Sequence, residues 1–181
     1  MGDRVIQWAT GNVGKHAIHG MVDHADLELV GLYVHGEDKV GRDAGDISGI
    51  ESLGVMETNN IEEVLSLDAD CVIHAPLPAK IYGDKPEADI QNICKILRSG
   101  KNVITVVGFM YPKVYGIDVM RQFEDACNEG GTSFHGTGLN PGMYGDLLPL
   151  TLSALSRRIE RIYVIETTNF SFYPSPQIIF E

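Results

Sequence analysis

The chain reads as an α/β protein, a doubly wound parallel sheet followed by the start of a truncated α+β domain, and three features predict this. Short apolar runs alternate with stretches of helical periodicity, the pattern left by parallel strands joined through crossover helices. The first run, residues 4–8, passes directly into Ala9-Thr10-Gly11-Asn12-Val13-Gly14, a tight turn of small residues that opens a helix near Val13. A length of 181 residues suits one such domain, large enough to bury roughly 70% of its unfolded surface.

Taken in order, strands are expected at residues 4–8, 27–34, 54–56, 71–74, 102–107 and 133–135, with helices between them. The stretch 36–60 is rich in Gly, Asp and Glu with little periodicity. Apart from its short strand it reads as a long surface excursion. Pro86 suits the first turn of a helix in which Ile90, Ile93, Cys94 and Leu97 recur at helical spacing, and Gly100 ends it. Ile117, Met120, Phe123 and Cys127 line another, stopped by Gly130-Gly131. Stripes of this period are core faces before they are ligand grooves. After Asn140-Pro141-Gly142 a helix is expected over 145–155, carrying Leu147, Leu148, Leu150 and Leu155, then a strand over 161–168. The last residues, Gln177-Ile178-Ile179-Phe180-Glu181, are apolar, where a free terminus is ordinarily polar. The expectation is a nucleotide-binding domain over 1–142, with 143–181 forming the connecting helix and first strand of an incomplete C-terminal domain for substrate and oligomer contacts.

Lys and Arg number 14 against 25 Asp and Glu, a formal net charge of −11. That excess argues against a nucleic-acid surface, which carries a basic patch, and no polybasic run marks a membrane surface. No apolar run is long enough for a bilayer, and no charged start with an apolar core marks a signal peptide. Cys71, Cys94 and Cys127 are odd in number, fall inside expected strands or helices, and fit no zinc spacing. Reduced buried thiols in a cytoplasmic protein are the expectation, with no metal.

In a doubly wound sheet the ligand lies beyond the carboxyl ends of the strands. Past the first strand, Thr10, Gly11, Asn12, Val13 and Gly14 offer small residues and a helix N-terminus whose amides can close on a diphosphate. Ala9 stands in the first position of the G-x-G-x-x-G pattern, Gly11 and Gly14 hold the next two, and Ala17 serves close helix–strand packing. The bland alternative is a strand–helix turn without ligand. Past the second strand, Val34 and His35 occupy the place where NAD-specific dehydrogenases set an acid against the ribose 2′-hydroxyl; Glu37 and Asp38 come later. A 2′-phosphate is thus tolerated, with His35, Lys39 or Arg42 to pair with it, and the sequence leans to NADP over NAD. Equally, all three are solvated loop residues.

Past 71–74, the run Ala75, Pro76, Leu77 and Pro78 would let a cofactor pass close to the backbone, or simply ends the strand. His74 itself reads as a hydrogen-bonded core histidine. Past 102–107 comes Gly108-Phe109-Met110-Tyr111-Pro112, and past 133–135 the turn Gly136 to Gly142. Both face the place of a nicotinamide ring, with Asn140 to hydrogen-bond its carboxamide. Tyr111 and His135 are the proton-transfer candidates there. Neither has a paired acid or base in sequence, so packing roles come first and the catalytic residues are unassigned.

The blocks Ala9-Thr10-Gly11-Asn12-Val13-Gly14, Gly41-Arg42-Asp43-Ala44-Gly45-Asp46, Gly100-Lys101-Asn102-Val103 and Asn140-Pro141-Gly142 resemble the cofactor domain of the dihydrodipicolinate reductase family. More narrowly, Gly136-Thr137-Gly138-Leu139-Asn140-Pro141-Gly142, with Asp146 on the following helix, resembles the branch containing 2,4-diaminopentanoate dehydrogenase and native amine dehydrogenases. The likeness runs over residues 4–173. It implies a Rossmann-type domain binding NAD(P), hydride transfer to or from a carbon–nitrogen double bond, and a C-terminal α+β domain closing over a small amine or imine. The chain departs in two places. It has no histidine- and lysine-containing segment of the kind the reductases carry in their C-terminal domain. And Gly108-Phe109-Met110 stands where diaminopentanoate-type enzymes tend to place an acid.

The expected function is the cofactor-binding portion of an NAD(P)-dependent oxidoreductase acting on a C=N or C–N substrate, with these residues alone turning over little or nothing. An exposed sheet edge invites homo-oligomerisation of the full-length form. The alternative is a non-catalytic nucleotide-binding module, or a subunit completed by a partner, with Phe170, Phe172 and Tyr173 marking the interface. A methyltransferase is disfavoured because it wants an acid where Val34-His35 stands.

Overall fold

A computed structural model describes residues 2–37, 40–83, 85–169 and 171. Asp38, Lys39, Phe170, Phe172, Tyr173 and the apolar end 177–181 lie outside the described residues. Strands β1 (Asp3–Trp8), β2 (Leu27–Tyr33), β3 (Glu57–Thr58), β4 (Cys71–His74), β5 (Asn102–Thr105) and β6 (Phe134–Gly136) form one six-stranded sheet. Its order is β3-β2-β1-β4-β5-β6 and every pair is parallel. The helices are α1 (Asn12–Val22), α2 (Ala44–Ser48), α3 (Ile61–Ser66), α4 (Ala79–Tyr82), α5 (Ala88–Arg98), α6 (Ile117–Gly130) and α7 (Leu148–Ser153). The doubly wound parallel sheet expected from the sequence is therefore present.

Side chains alternate across a strand, so successive residues of β1 serve opposite faces. Val5 joins Leu32, Val34, Ile18, Met21 and Ala44 on the face covered by α1 and α2. Ile6 and Trp8 join Val72 and Val103 on the other, under α3, α5 and α6. The stripe expected on α5 is buried in full, Ile90, Ile93, Cys94 and Leu97 together with Ile96, and each such aliphatic contributes about 2 kcal/mol by leaving water. On α6 the stripe is thinner. Phe123 and Ala126 are buried, but Ile117 is exposed, because this helix lies at the edge of the sheet with less to cover.

Residues 40–60 are more ordered than their composition suggests. Asp43 caps α2, with Oδ1 accepting from the N–H groups of Gly45 (2.8 Å) and Leu53 (2.9 Å) and Oδ2 from that of Gly54 (2.8 Å). These bonds, Leu53's foremost, hold the carboxyl below the usual carboxylate range. They also pin residues 53–54 beside α2, whose Ala44, Gly45, Ile47 and Ser48 are buried. The short strand accordingly falls at Glu57–Thr58 rather than 54–56, and Met56 bridges antiparallel to Asp43.

Three other expectations are corrected. β5 stops at Thr105, because the N–H of Val107 turns back onto the Thr105 hydroxyl at 3.3 Å. The helix expected over 145–155 is a wide, irregular helical segment, Leu139–Leu147, running into α7; its backbone leaves helical geometry at Asn140, Pro141 and Gly142. Residues 161–168 form no strand. Ile162, Tyr163, Val164 and Ile165 are between 48% and 88% exposed, and β-rich sequence without a neighbouring strand among the described residues has no ladder to join.

A Cβ placed on Gly14 would stand 2.1 Å from the Ala9 carbonyl oxygen, main chain against main chain, with neither able to retreat. Gly14→Ala is expected to cost about 3 kcal/mol or more in denaturant unfolding. Gly20→Ala, on the same helix with nothing within 4 Å of its Cβ, should be neutral or stabilising by about 0.5–1 kcal/mol.

Candidate functional site

The turn between β1 and α1 is built from beneath by a residue that sequence reasoning passed over. Gln7 is fully buried, and its Nε2 donates to the carbonyls of Ala9 (2.9 Å) and Trp8 (3.3 Å). This holds the Ala9 carbonyl against Gly14 and bends the chain so sharply that Ala9 adopts φ +75°, a left-handed conformation costing an L-residue roughly 1–2 kcal/mol. Glycine is usual at that position for this reason.

Above the bend, Gly11 is the N-terminal cap of α1 and no side chain caps the helix. The first bond of the helix runs from the Lys15 N–H to the Gly11 carbonyl at 3.0 Å, so the amides of Asn12, Val13 and Gly14 precede it and point outward with the positive end of the helix dipole. A Cβ on Gly11 would meet nothing within 4 Å. Gly11, Asn12 and Val13 are exposed, whereas Thr10 is buried. The arrangement suits an anion approaching the main chain.

The strand ends beside this turn form a buried row. Trp8 is in register with Tyr33 and His74, His74 with Thr105, and Thr105 with Gly136. Trp8 stacks on Tyr33 with centroids 4.0 Å apart, and Tyr33 meets the edge of His35 at 5.1 Å. His74 is fully buried with Nδ1 3.0 Å from the Thr105 hydroxyl, the core histidine expected. Burial, with the nearby His35 adding, pushes its pKa down to about 3. Its Nε2 and the Trp8 Nε1 have no hydrogen-bond partner among the described residues. His35 stays exposed at the tip of β2, and desolvation lowers its pKa as well.

The remaining candidates fall on three loops at the same end of the sheet. Ala75 is buried with its N–H on the Trp8 carbonyl at 3.0 Å, Pro76 is half-buried and Leu77 exposed. Asp89 fixes the far side of that loop by accepting from the Ala79 N–H at 2.6 Å. Gly108 and Phe109 both take positive φ, +99° and +60°. Phe109 is buried against Phe123 and Tyr115, and that packing drives the unusual backbone. A Cβ on Gly136 would lie 2.6 Å from the Met110 nitrogen, so the loops after β5 and β6 touch backbone to backbone. Asn140 lies on the second of these, exposed, its Nδ2 donating to the Glu166 carboxylate. Tyr111 and His135 are exposed. An open groove of about 610 Å³ runs along β6 and α6, sharing Phe109, Met110 and Gly136 with this end of the sheet. Among the described residues no group of three or more His, Cys, Asp or Glu could hold a metal ion, and no helix is long and apolar enough to cross a membrane.

Sheet order and glycine turn together define a Rossmann-type domain. Residues 5–107 match the family described as "Dihydrodipicolinate reductase, N-terminus". An amine dehydrogenase of Streptomyces virginiae is 35% identical over 180 residues, covering 96% of this chain and 48% of that protein. Among solved structures, the amine dehydrogenase from Mycobacterium smegmatis superposes with a TM-score of 0.74 at 21% identity, over 88% of this chain and 46% of that one. The WlbA dehydrogenase from Bordetella pertussis, in complex with NADH and UDP-GlcNAcA, superposes with a TM-score of 0.62 at 16% identity, over 90% and 42%. The chain belongs to the dihydrodipicolinate reductase N-terminal domain family and is a homologue of an amine dehydrogenase. It spans about half the length of that curated relative.

The buried row makes the fold acid-sensitive. Unfolded His74 titrates near the ordinary 6.5 and the folded residue at about 3, so between those values the unfolded chain holds more protons and stability falls as pH falls. From pH 7 to pH 5 this residue alone should remove about 2 kcal/mol. Denaturant unfolding of the His74→Gln variant over the same interval is expected to show a smaller loss by that amount. Equal losses in the two proteins would mean that His74 titrates normally.

Proposed function

We propose that this chain is the cofactor-binding portion of an NAD(P)-dependent oxidoreductase acting on a small molecule with a C=N or C–N bond. The observation that carries the reading is the uncapped α1 terminus over the space at Gly11. It is supported by membership of a reductase family, by the amine dehydrogenase relative, and by a solved neighbour that holds NADH. The diphosphate would lie on the amides of Asn12, Val13 and Gly14 beside Thr10 and Gly11, with Ala75, Pro76 and Leu77 flanking its path. The nicotinamide would lie between Gly108 and Asn140. When bound, the cofactor supplies or accepts the hydride; the chain's own part is to position it and keep water away.

The ribose 2′ end would face His35. Desolvation lowers the pKa of that imidazole, which makes exposed Arg42 the firmer source of positive charge for a 2′-phosphate. The β2 tip carries no carboxylate to repel it, and the lean to NADP rests on that. Residues 1–142 would form the cofactor domain and 143–181 the start of a substrate and oligomerisation domain. The exposed Leu150, Leu155, Tyr163 and Ile165 favour a segment that the rest of a longer, homo-oligomeric cytoplasmic enzyme covers. These residues alone would bind cofactor and turn over an amine or imine slowly or not at all.

Calorimetric titration tests this. Both NADPH and NADH are expected to bind, NADPH no more weakly than NADH, and absence of heat from both with folded protein would end the proposal. Gly11→Ala puts a methyl group into the diphosphate path without touching protein. It should weaken binding about tenfold or more through loss of close main-chain approach while leaving the thermal midpoint within a few degrees.

A further inference from the structure

The side chain of Asn140 is held in one orientation by a residue 26 positions away. Its Nδ2 donates to the Glu166 carboxylate, and Glu166 in turn accepts from the Thr168 hydroxyl at 3.0 Å. An ionised carboxylate only accepts hydrogen bonds, whereas an amide carries a donor end and an acceptor end. The pairing therefore sets the amide orientation: the NH2 group gives one of its two N–H donors to Glu166, and Oδ1 is the acceptor end left for a ligand. The bond also draws 161–169, which has no strand partner among the described residues, back over the turn after β6.

We propose that Glu166 is a positioning residue that turns the Asn140 Oδ1 acceptor toward the ligand, so that the site favours a cofactor ring substituent bearing an N–H donor. This rests on the reading above, in which Asn140 faces the nicotinamide carboxamide, and it assigns that contact a direction. The carboxamide NH2 group donates to Asn140 Oδ1. A ring carrying an acetyl group in place of the carboxamide keeps the carbonyl but has no N–H to offer, so it meets an acceptor with an acceptor. Without Glu166 the amide can rotate and present its NH2 group instead, and the discrimination collapses.

The test compares binding of NAD, 3-acetylpyridine adenine dinucleotide and ADP-ribose to the chain and its variants. The unaltered protein should bind NAD about tenfold more tightly than the acetylpyridine analogue, the worth of one hydrogen bond against an unpaired acceptor. Glu166→Ala should shrink that ratio to below about twofold and leave ADP-ribose affinity unchanged. Glu166→Gln, which keeps shape and fold, should give an intermediate ratio, because two amides can pair either way round. Asn140→Ala should abolish the ratio, and adding Glu166→Ala to it should change nothing more. A merely structural role for Glu166 would move all three ligands together and overturns the proposal, as does a ratio that survives in Glu166→Ala or is absent from the unaltered protein. If ADP-ribose itself fails to bind the unaltered protein, the cofactor reading falls and this inference with it; if ADP-ribose binds and the ratio is absent, the inference alone falls.

Discussion

The contact on which the rest of the structure depends is the one between the first turn of α1 and the last carbonyl of β1. Gly14 sits so close to the Ala9 oxygen that no side chain fits between them, and Gln7 holds that oxygen from the core side. Helix and strand are thereby locked with the first amides of the helix beyond the carboxyl end of the sheet. Gly11 at the cap position brings no side chain to those amides and has open space above it, which keeps the helix end for something else.

The same constraint explains the character of the sheet's carboxyl end. A strand entering a site must carry polar groups, yet β1, β4 and β5 are central strands with little water. The chain resolves this with large, half-polar rings, Trp8, Tyr33 and His74, which fill the core while keeping polar atoms at the tip, and with Thr105 to satisfy one histidine nitrogen. The unpartnered Trp8 Nε1 and His74 Nε2 mark the cost, since a buried donor or acceptor left unpaired is destabilising. Burial in turn keeps His74 neutral, which suits a core position and disqualifies it as a proton donor near neutral pH.

Much of this was legible in the sequence where structure is local. The glycine turn, the α5 stripe from Ile90 to Leu97 with its stop at Gly100, and the first strand at residues 4–8 all follow from short-range periodicity and steric need. What was not legible depends on partners far along the chain. Asp43 looks like one more acidic loop residue until Leu53 and Gly54, ten and eleven positions on, supply their amides. Gln7 could have been suspected as an amide between Ile6 and Trp8 just ahead of a glycine turn. Glu166 gave no signal, because its meaning lies entirely in Asn140. The strand expected over 161–168 shows the reverse case: its β-branched residues state a preference, but a ladder needs a neighbour, and the described residues provide none.

If the amides at the start of α1 receive the cofactor's diphosphate, amide proton–nitrogen spectra of the labelled chain titrated with ADP-ribose will report it at those positions. Saturable shifts are expected, largest at Asn12, Val13 and Gly14, because those N–H groups gain an anionic acceptor. Unmoved signals at these three positions, with the main changes along the α6 and β6 groove instead, would contradict it.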